Sequence, residues 1–206
     1  MSCRHHPQED TLLSYASGAL DEASSLVIAT HLTLCPHCRA DVSVAEAVGG
    51  MLLDEMAPAE IKGFAAIINR LNETGAVASP LTHTNYPRTL DAYLSPKTKW
   101  RSLGAGLRYA PLLREGEIRA GLLVCAPGAG VTLHTHDGDE MTVVLAGEYQ
   151  DGDQHFQMGD VQCTDATVMH HPVAHSQTGC TVLLLNKGRL RPKSFLARIF
   201  LRLLPL

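Results

Sequence analysis

The spacing of apolar positions changes character partway along the chain. From Met1 to Asn72 they recur at helical steps: Leu12, Leu13, Tyr15, Ala16 and Leu20 form one cluster, and Leu26, Val27, Thr30, His31 and Leu34 follow at intervals of three and four. Ser17-Gly18 marks a stop between these segments, and Asp21 followed by Glu22 is a start signal for a second helix. A third helix is predicted from Pro36, where a missing N–H costs nothing at the first helical position, toward Met56. Pro58 breaks the run. Beyond it, Ile61, Phe64, Ala65, Ile68 and Leu71 outline a fourth amphipathic helix ending near Asn72.

The stretch ETGAVASPLTHTNYPRT holds Gly, Pro, Ser, Asn and Thr without a sustained period and reads as a linker. From Leu90 the pattern becomes that of short strands between turns. Candidates are Arg119–Cys125, Val131–Thr135, Met141–Gly147, Val161–Thr164 and Thr181–Asn186, with turn signals at PGAG, DGDE, DGDQ and MGD. The expected fold is therefore α + β in two domains: a helical domain over 1–75, a linker over 76–90, and a small β-barrel or sandwich over 91–206. The final segment, KGRLRPKSFLARIFLRLLPL, has six basic residues and no acidic ones. Phe195, Leu196, Ile199, Phe200 and Leu203 outline one helical face there; such a basic amphipathic tail can lie on a membrane or dock a partner, and packing back onto the chain's own domain is preferred.

Composition adjusts this picture in three ways. With 206 residues, 45% hydrophobic and 18% charged, the chain has an ordinary globular balance. Its apolar runs fall short of the roughly 18 residues needed to cross a bilayer, and MSCRHHPQED lacks a signal-peptide pattern, so a soluble cytoplasmic protein is expected with no membrane association. Charge is uneven: Met1 to Gly75 carries 4 Lys/Arg against 10 Asp/Glu, whereas the remainder carries 13 against 11. An acidic helical part disfavours phosphate, hence nucleic acid, and favours a basic protein partner. The 11 histidines beside 6 cysteines are the compositional surplus that points to chemistry.

One cluster is His31, Cys35 and Cys38, spaced H-x3-C-x2-C. Helical spacing puts His31 and Cys35 a turn apart on one face, and the turn at Pro36 brings the Cys38 thiol back toward them. Three donors converge, and a tetrahedral zinc site needs a fourth; His6 in the N-terminal arm is preferred, with His5 its rival. His37 points elsewhere and is expected to be exposed. The alternative, two core thiols or a redox dithiol, lacks the βαβ context of thioredoxin. Zinc at such a site is structural, because a helical module of about 70 residues has a marginal core.

The stretches RHHP, LLSYASGAL, SLVIATHLTLCPHCRA and AVGG resemble the zinc-binding anti-sigma domain of bacterial regulators, and in particular the ChrR-type anti-sigma factors. What that resemblance implies is a zinc domain with ligands at His6, His31, Cys35 and Cys38, followed by a cupin domain. It further implies an extracytoplasmic-function (ECF) sigma factor as partner and negative regulation of transcription. The expected signal is singlet oxygen or related oxidative stress.

The second cluster fits this. Gly128, His134, His136, Glu140 and Gly147 give G-x5-H-x-H-x3-E-x6-G, which resembles the first cupin motif without departure. Two residues apart on a strand, His134 and His136 leave the same face, and the DGD turn redirects Glu140 into the same pocket. A later strand must supply the last donor. His170, eleven residues after Gly159, is preferred and His171 is its rival; His155 and His175 read as surface or supporting residues. Three His and one carboxylate suit zinc or another divalent transition metal without naming it. Asp165, Thr167 and Ala174 depart from the usual second cupin motif. Cys125, Cys163 and Cys180 lie in or near strands and read as small buried hydrophobes or as oxidation-sensitive thiols. The competing function is a metal-dependent cupin enzyme, a dioxygenase or isomerase. No second acid/base pair or substrate-clamping arginine group stands out in the sequence, and a non-enzymatic role is expected.

Overall fold

The computed structural model describes residues 3–57, 63–73 and 86–193. The predicted break at Pro58, most of the predicted linker and the amphipathic tail helix from Phe195 lie outside these residues.

Four helices come first: α1 (Glu9–Ala16), α2 (Glu22–Leu34), α3 (Pro36–Asp54) and α4 (Phe64–Glu73). The start and stop signals act as read. Gly18, at φ 71°, lies just past the end of α1, in a left-handed conformation that suits glycine. Asp21 caps α2, its carboxylate accepting the Ser24 N–H at 2.8 Å, and Pro36 opens α3. Helix α2 is apolar around most of its circumference: Ala23, Leu26, Val27, Ile28 and Leu32 are buried, as are Ser24, Thr30 and His31. A helix without a polar face must be covered on all sides.

The cover on one side is the β part. Ten strands follow: β1 (Arg101–Gly104), β2 (Leu107–Glu115), β3 (Ile118–Cys125), β4 (His134–His136), β5 (Glu140–Asp151), β6 (Gln154–Gln157), β7 (Val161–Thr164), β8 (Val173–Ala174), β9 (Cys180–Asn186) and β10 (Leu190–Pro192). Eight form an antiparallel sheet along β1-β2-β3-β9-β5-β6, with β7 and β8 also on β5; β4 and β10 make a second, two-stranded sheet. Helix α2 packs on β3, β5 and β9. Its Val27 and Ile28 share one buried cluster with Leu122, Val143, Leu183 and Leu185, so the helical and sheet cores are continuous.

Of the five predicted strands, four coincide with β3, β5, β7 and β9 within a few residues. The fifth, Val131–Thr135, is shorter and shifted, to β4. Strand β2 escaped the pattern because Pro111 interrupts it; there the β2–β3 register slips between Pro111 and Leu113, a bulge that tolerates a residue without an N–H. Strand β10 lies within the basic terminal segment, pairing Leu190 with His136 and Pro192 with His134.

Candidate metal centres

Strand β4 is three residues long and exists to place two imidazoles. His134 and His136 are buried on its inward face, and β10 holds it from one side. His170 reaches it from the other: backbone bonds run from His134 N–H to His170 O at 3.1 Å and back at 2.9 Å. Glu140, the first residue of β5, completes the group, and the four side chains bring one donor atom each within 4.8 Å of one another.

The ring orientations are fixed by partners behind them. His134 Nδ1 faces the Thr132 carbonyl at 2.7 Å, and His170 Nδ1 faces the Asp151 carboxylate at 2.9 Å. With those nitrogens donating, the Nε2 lone pairs turn inward, where His170 Nε2 lies 3.0 Å from His134 Nε2 and 3.1 Å from His136 Nε2. Nitrogens that close are what two ligands at about 2.1 Å from one ion require. His136 Nε2 is 3.2 Å from Glu140 Oε2.

Protonation follows from burial. Desolvation, with His170 adding to it, holds His134 down at about 3 and His136 down at about 4, so both stay neutral donors at ordinary pH. Burial pushes the Glu140 carboxyl up to about 7 in the metal-free site. Burial also disfavours charge on His170, but the Asp151 hydrogen bond and the Glu140 charge outweigh it and raise His170. Asp151 in turn sits at about 2, its desolvation overcome by bonds from His170, Gln162 and the His171 N–H.

The other cluster joins three parts of the chain. His31 and Cys35 come from the end of α2, Cys38 from the first turn of α3, and His6 from the arm before α1; one donor atom from each lies within 4.8 Å of the rest. His6 Nδ1 is 3.2 Å from Cys38 Sγ and 3.5 Å from Cys35 Sγ. His31 donates through Nδ1 to the Gly159 carbonyl at 2.8 Å, which leaves Nε2 buried and without a partner. A buried, orphaned imidazole nitrogen beside two thiols is the arrangement a zinc ion satisfies. Burial, followed by the neighbouring Cys35, pushes Cys38 up to about 12 in the metal-free chain.

The rival histidines, His5 and His171, take partners outside the two donor groups. His5 packs on Phe156 with ring centroids 4.4 Å apart and planes tilted by 39°, and faces the His155 carbonyl at 3.2 Å. His171 is exposed, with its Nδ1 on the Val131 carbonyl. His37 is exposed beside Asp41, and His155 and His175 both approach Glu148 at the surface.

Three features were missed from sequence. Asp151 belongs to DGDQ, which reads only as a turn. Gly159 and Asp160 read as a motif start, yet they anchor the N-terminal arm: Asp160, fully buried, accepts the backbone N–H groups of Arg4 at 2.6 Å, His5 at 3.2 Å and Gln157 at 3.0 Å. Gly159, at φ +95°, has room for no Cβ, which would fall 2.7 Å from Cys3 Sγ. Third, a cavity of about 710 Å³ opens beside His134 and Glu140 and gathers Arg119, Arg189 and Arg191, an arginine group the sequence did not reveal. Two of these are engaged at the rim, Arg189 with Glu117 at 3.6 Å and Arg191 with Asp137 at 2.7 Å.

The chain is similar to known proteins over nearly its whole length. Residues 92–190 match the family described as the ChrR cupin-like domain. The chain is 37% identical over 206 residues to the anti-sigma-E factor ChrR of Cereibacter sphaeroides, covering 97% of each. It is similar to the chain in the crystal structure of Rhodobacter sphaeroides SigE in complex with the anti-sigma ChrR, with a TM-score of 0.77 and 37% identity over 90% of this chain and 100% of that one. An RmlC-like cupin from Shewanella frigidimarina matches 47% of this chain and 89% of its own at 22% identity and a TM-score of 0.42.

Proposed function

The chain belongs to the ChrR family of anti-sigma factors, and from that premise we propose that it holds an extracytoplasmic-function sigma factor inactive and releases it when the cupin part meets singlet oxygen or a related oxidant. The observation that carries this reading is a relative of known anti-sigma role matching 97% of the chain, which makes the role regulatory rather than enzymatic. The structure adds a surface for such a partner. Val44, Val48, Met51 and Leu52 on α3, with Phe64, Ile67 and Ile68 on α4, are exposed apolar residues at helical spacing. Continuous apolar faces of this kind mark protein–protein contact. The acidic balance of residues 1–75, 10 carboxylates against 4 basic side chains, suits a basic partner.

In this reading residues 1–75 are the anti-sigma part, 76–90 the linker and 91–206 the cupin part. His6, His31, Cys35 and Cys38 hold zinc, which when bound ties the arm, α2 and α3 together and stabilises the folded form. His134, His136, Glu140 and His170 would hold zinc or another divalent transition metal, which would supply Lewis acidity at the cavity wall. The cytoplasm is where such a partner works. Among the described residues no helix is long and apolar enough to cross a membrane.

The test is co-purification of the full chain with sigma factors of its own cell. Val48→Glu combined with Ile68→Glu, both at exposed positions, is expected to abolish capture while leaving folding and metal content intact. Undiminished capture would move the interface elsewhere.

A further inference from the structure

The register of the sheet sets Cys125 of β3 directly opposite Cys180 of β9. Directly opposed residues in an antiparallel pair have Cα atoms about 4.5 or 5.5 Å apart. Both spacings fall inside the window of about 4.4–6.8 Å that a disulfide spans. Neither cysteine belongs to the two donor clusters. Both are buried from bulk solvent, yet both line the cavity that His134 and Glu140 also reach. The rest of that wall is largely apolar, with Leu107 opposite Cys125 in register and Leu123 and Val182 two residues from the thiols along β3 and β9. A hydrogen bond from the Cys180 thiol favours the thiolate of Cys125 and disfavours that of Cys180. Hydrogen-bonded to each other and opposed in register, the two sulfurs are placed for one to attack an oxidant and the other to resolve it.

We propose that Cys125 and Cys180 form a redox-active dithiol on the wall of the cupin cavity, and that its oxidant is an organic hydroperoxide, which the apolar lining admits more readily than hydrogen peroxide. The Cys125 sulfur attacks the terminal peroxide oxygen, the O–O bond breaks, and the alkoxide leaves as an alcohol after taking a proton. Cys125 is then a sulfenic acid. The Cys180 sulfur displaces its hydroxyl, which leaves as water, and the S–S bond forms between β3 and β9. Two thiols and one hydroperoxide become one disulfide, one alcohol and one water. The regulatory meaning of this bond rests on the anti-sigma reading above; its formation does not.

The experiment treats the metal-loaded full chain with cumene hydroperoxide or with hydrogen peroxide, blocks remaining thiols under denaturing conditions, and maps crosslinks by mass spectrometry. Trypsin is unsuitable, because no Lys or Arg lies between Arg119 and Lys187; a protease cutting after acidic residues separates the two cysteines. The expected product is a Cys125–Cys180 crosslink, formed faster with cumene hydroperoxide and lost in Cys125→Ser and in Cys180→Ser. In Cys180→Ser, dimedone is expected to trap a sulfenic acid on Cys125, and Cys163→Ser, at an exposed position opposite Met141, is expected to behave as wild type. Full alkylation of Cys125 and Cys180 after treatment, or oxidation confined to Cys163 or to the N-terminal thiols, overturns the proposal. A crosslink that forms in the sigma complex without releasing the partner supports the dithiol and counts against the oxidant-release reading.

Discussion

Asp151 decides which nitrogen of His170 faces the donor cluster. It accepts the hydrogen bond of the His170 Nδ1–H at 2.9 Å, and is itself held by the Gln162 side chain at 2.7 Å, which in turn accepts from the Tyr149 hydroxyl at 2.8 Å. Supporting partners of this kind are worth about 10- to 100-fold in metal affinity. Asp151→Asn, which keeps the shape and removes the charge, is expected to weaken cupin metal binding by that order, read by chelator competition, with the N-terminal metal retained. His170→Ala is expected to remove the cupin metal outright and His171→Ala to leave metal content unchanged, by elemental analysis of each purified variant. Strand and helix periods alone put His134 with His136 and His31 with Cys35; Cys38 and Glu140 rested on the turns beside them, and His6 and His170 were chosen over His5 and His171. Asp151 was not legible, since its bond to His170 spans 19 residues and depends on how β5 bends past β8.

At the scale of elements, the start of α2 carries two separable interactions. Its N-cap, Asp21, also meets Lys187 at 2.9 Å, so one carboxylate both caps the helix and ties it to the end of β9. Burial raises the Asp21 carboxyl, but the Ser24 N–H and the Lys187 ammonium outweigh it and leave it below its ordinary 3.8. Stability from this depression is present above pH 3.8 and is lost as pH falls through the folded-state value. Asparagine caps as well as aspartate, so Asp21→Asn isolates the charge and is expected to cost at most about 1 kcal/mol because solvent screens the pair. That cost should vanish in denaturation curves taken at lower pH. Asp21→Ala removes the cap too and is expected to cost about 1 kcal/mol more at every pH above that range. The signal for the cap was plain in Asp-Glu-Ala-Ser; the ion pair was invisible, because nothing in the order of residues says that β9 ends beside α2.

For the whole molecule, the continuity of the core matters most. Composition divides the chain into an acidic helical part and a mildly basic sheet part, and the change from helical to strand period marked the change of fold class, although β2 and β10 did not stand out. That α2 is buried against the sheet was not legible, because its apolar positions say only that it is covered, and Val27 and Ile28 could equally have met other helices. Because they share a core with Leu122 and Leu183, the chain is expected to unfold in one calorimetric transition. Two well-separated transitions would contradict it, and a fragment ending at residue 85 is expected to be much less stable than the full chain. The turn at Gly159 and Asp160 sharpens this. It leaves β6 and enters β7, Gly159 donates its N–H to the Val144 carbonyl of β5, and its own carbonyl holds the His31 ring. The strand that begins with Glu140 and the imidazole beside Cys35 therefore lean on the same residue. By thermodynamic reciprocity, if displacing that turn weakens the grip of the N-terminal cluster on its ion by some factor, a filled cluster resists the displacement by the same factor. Occupancy of the helical centre would then set the threshold that any message from the barrel must cross.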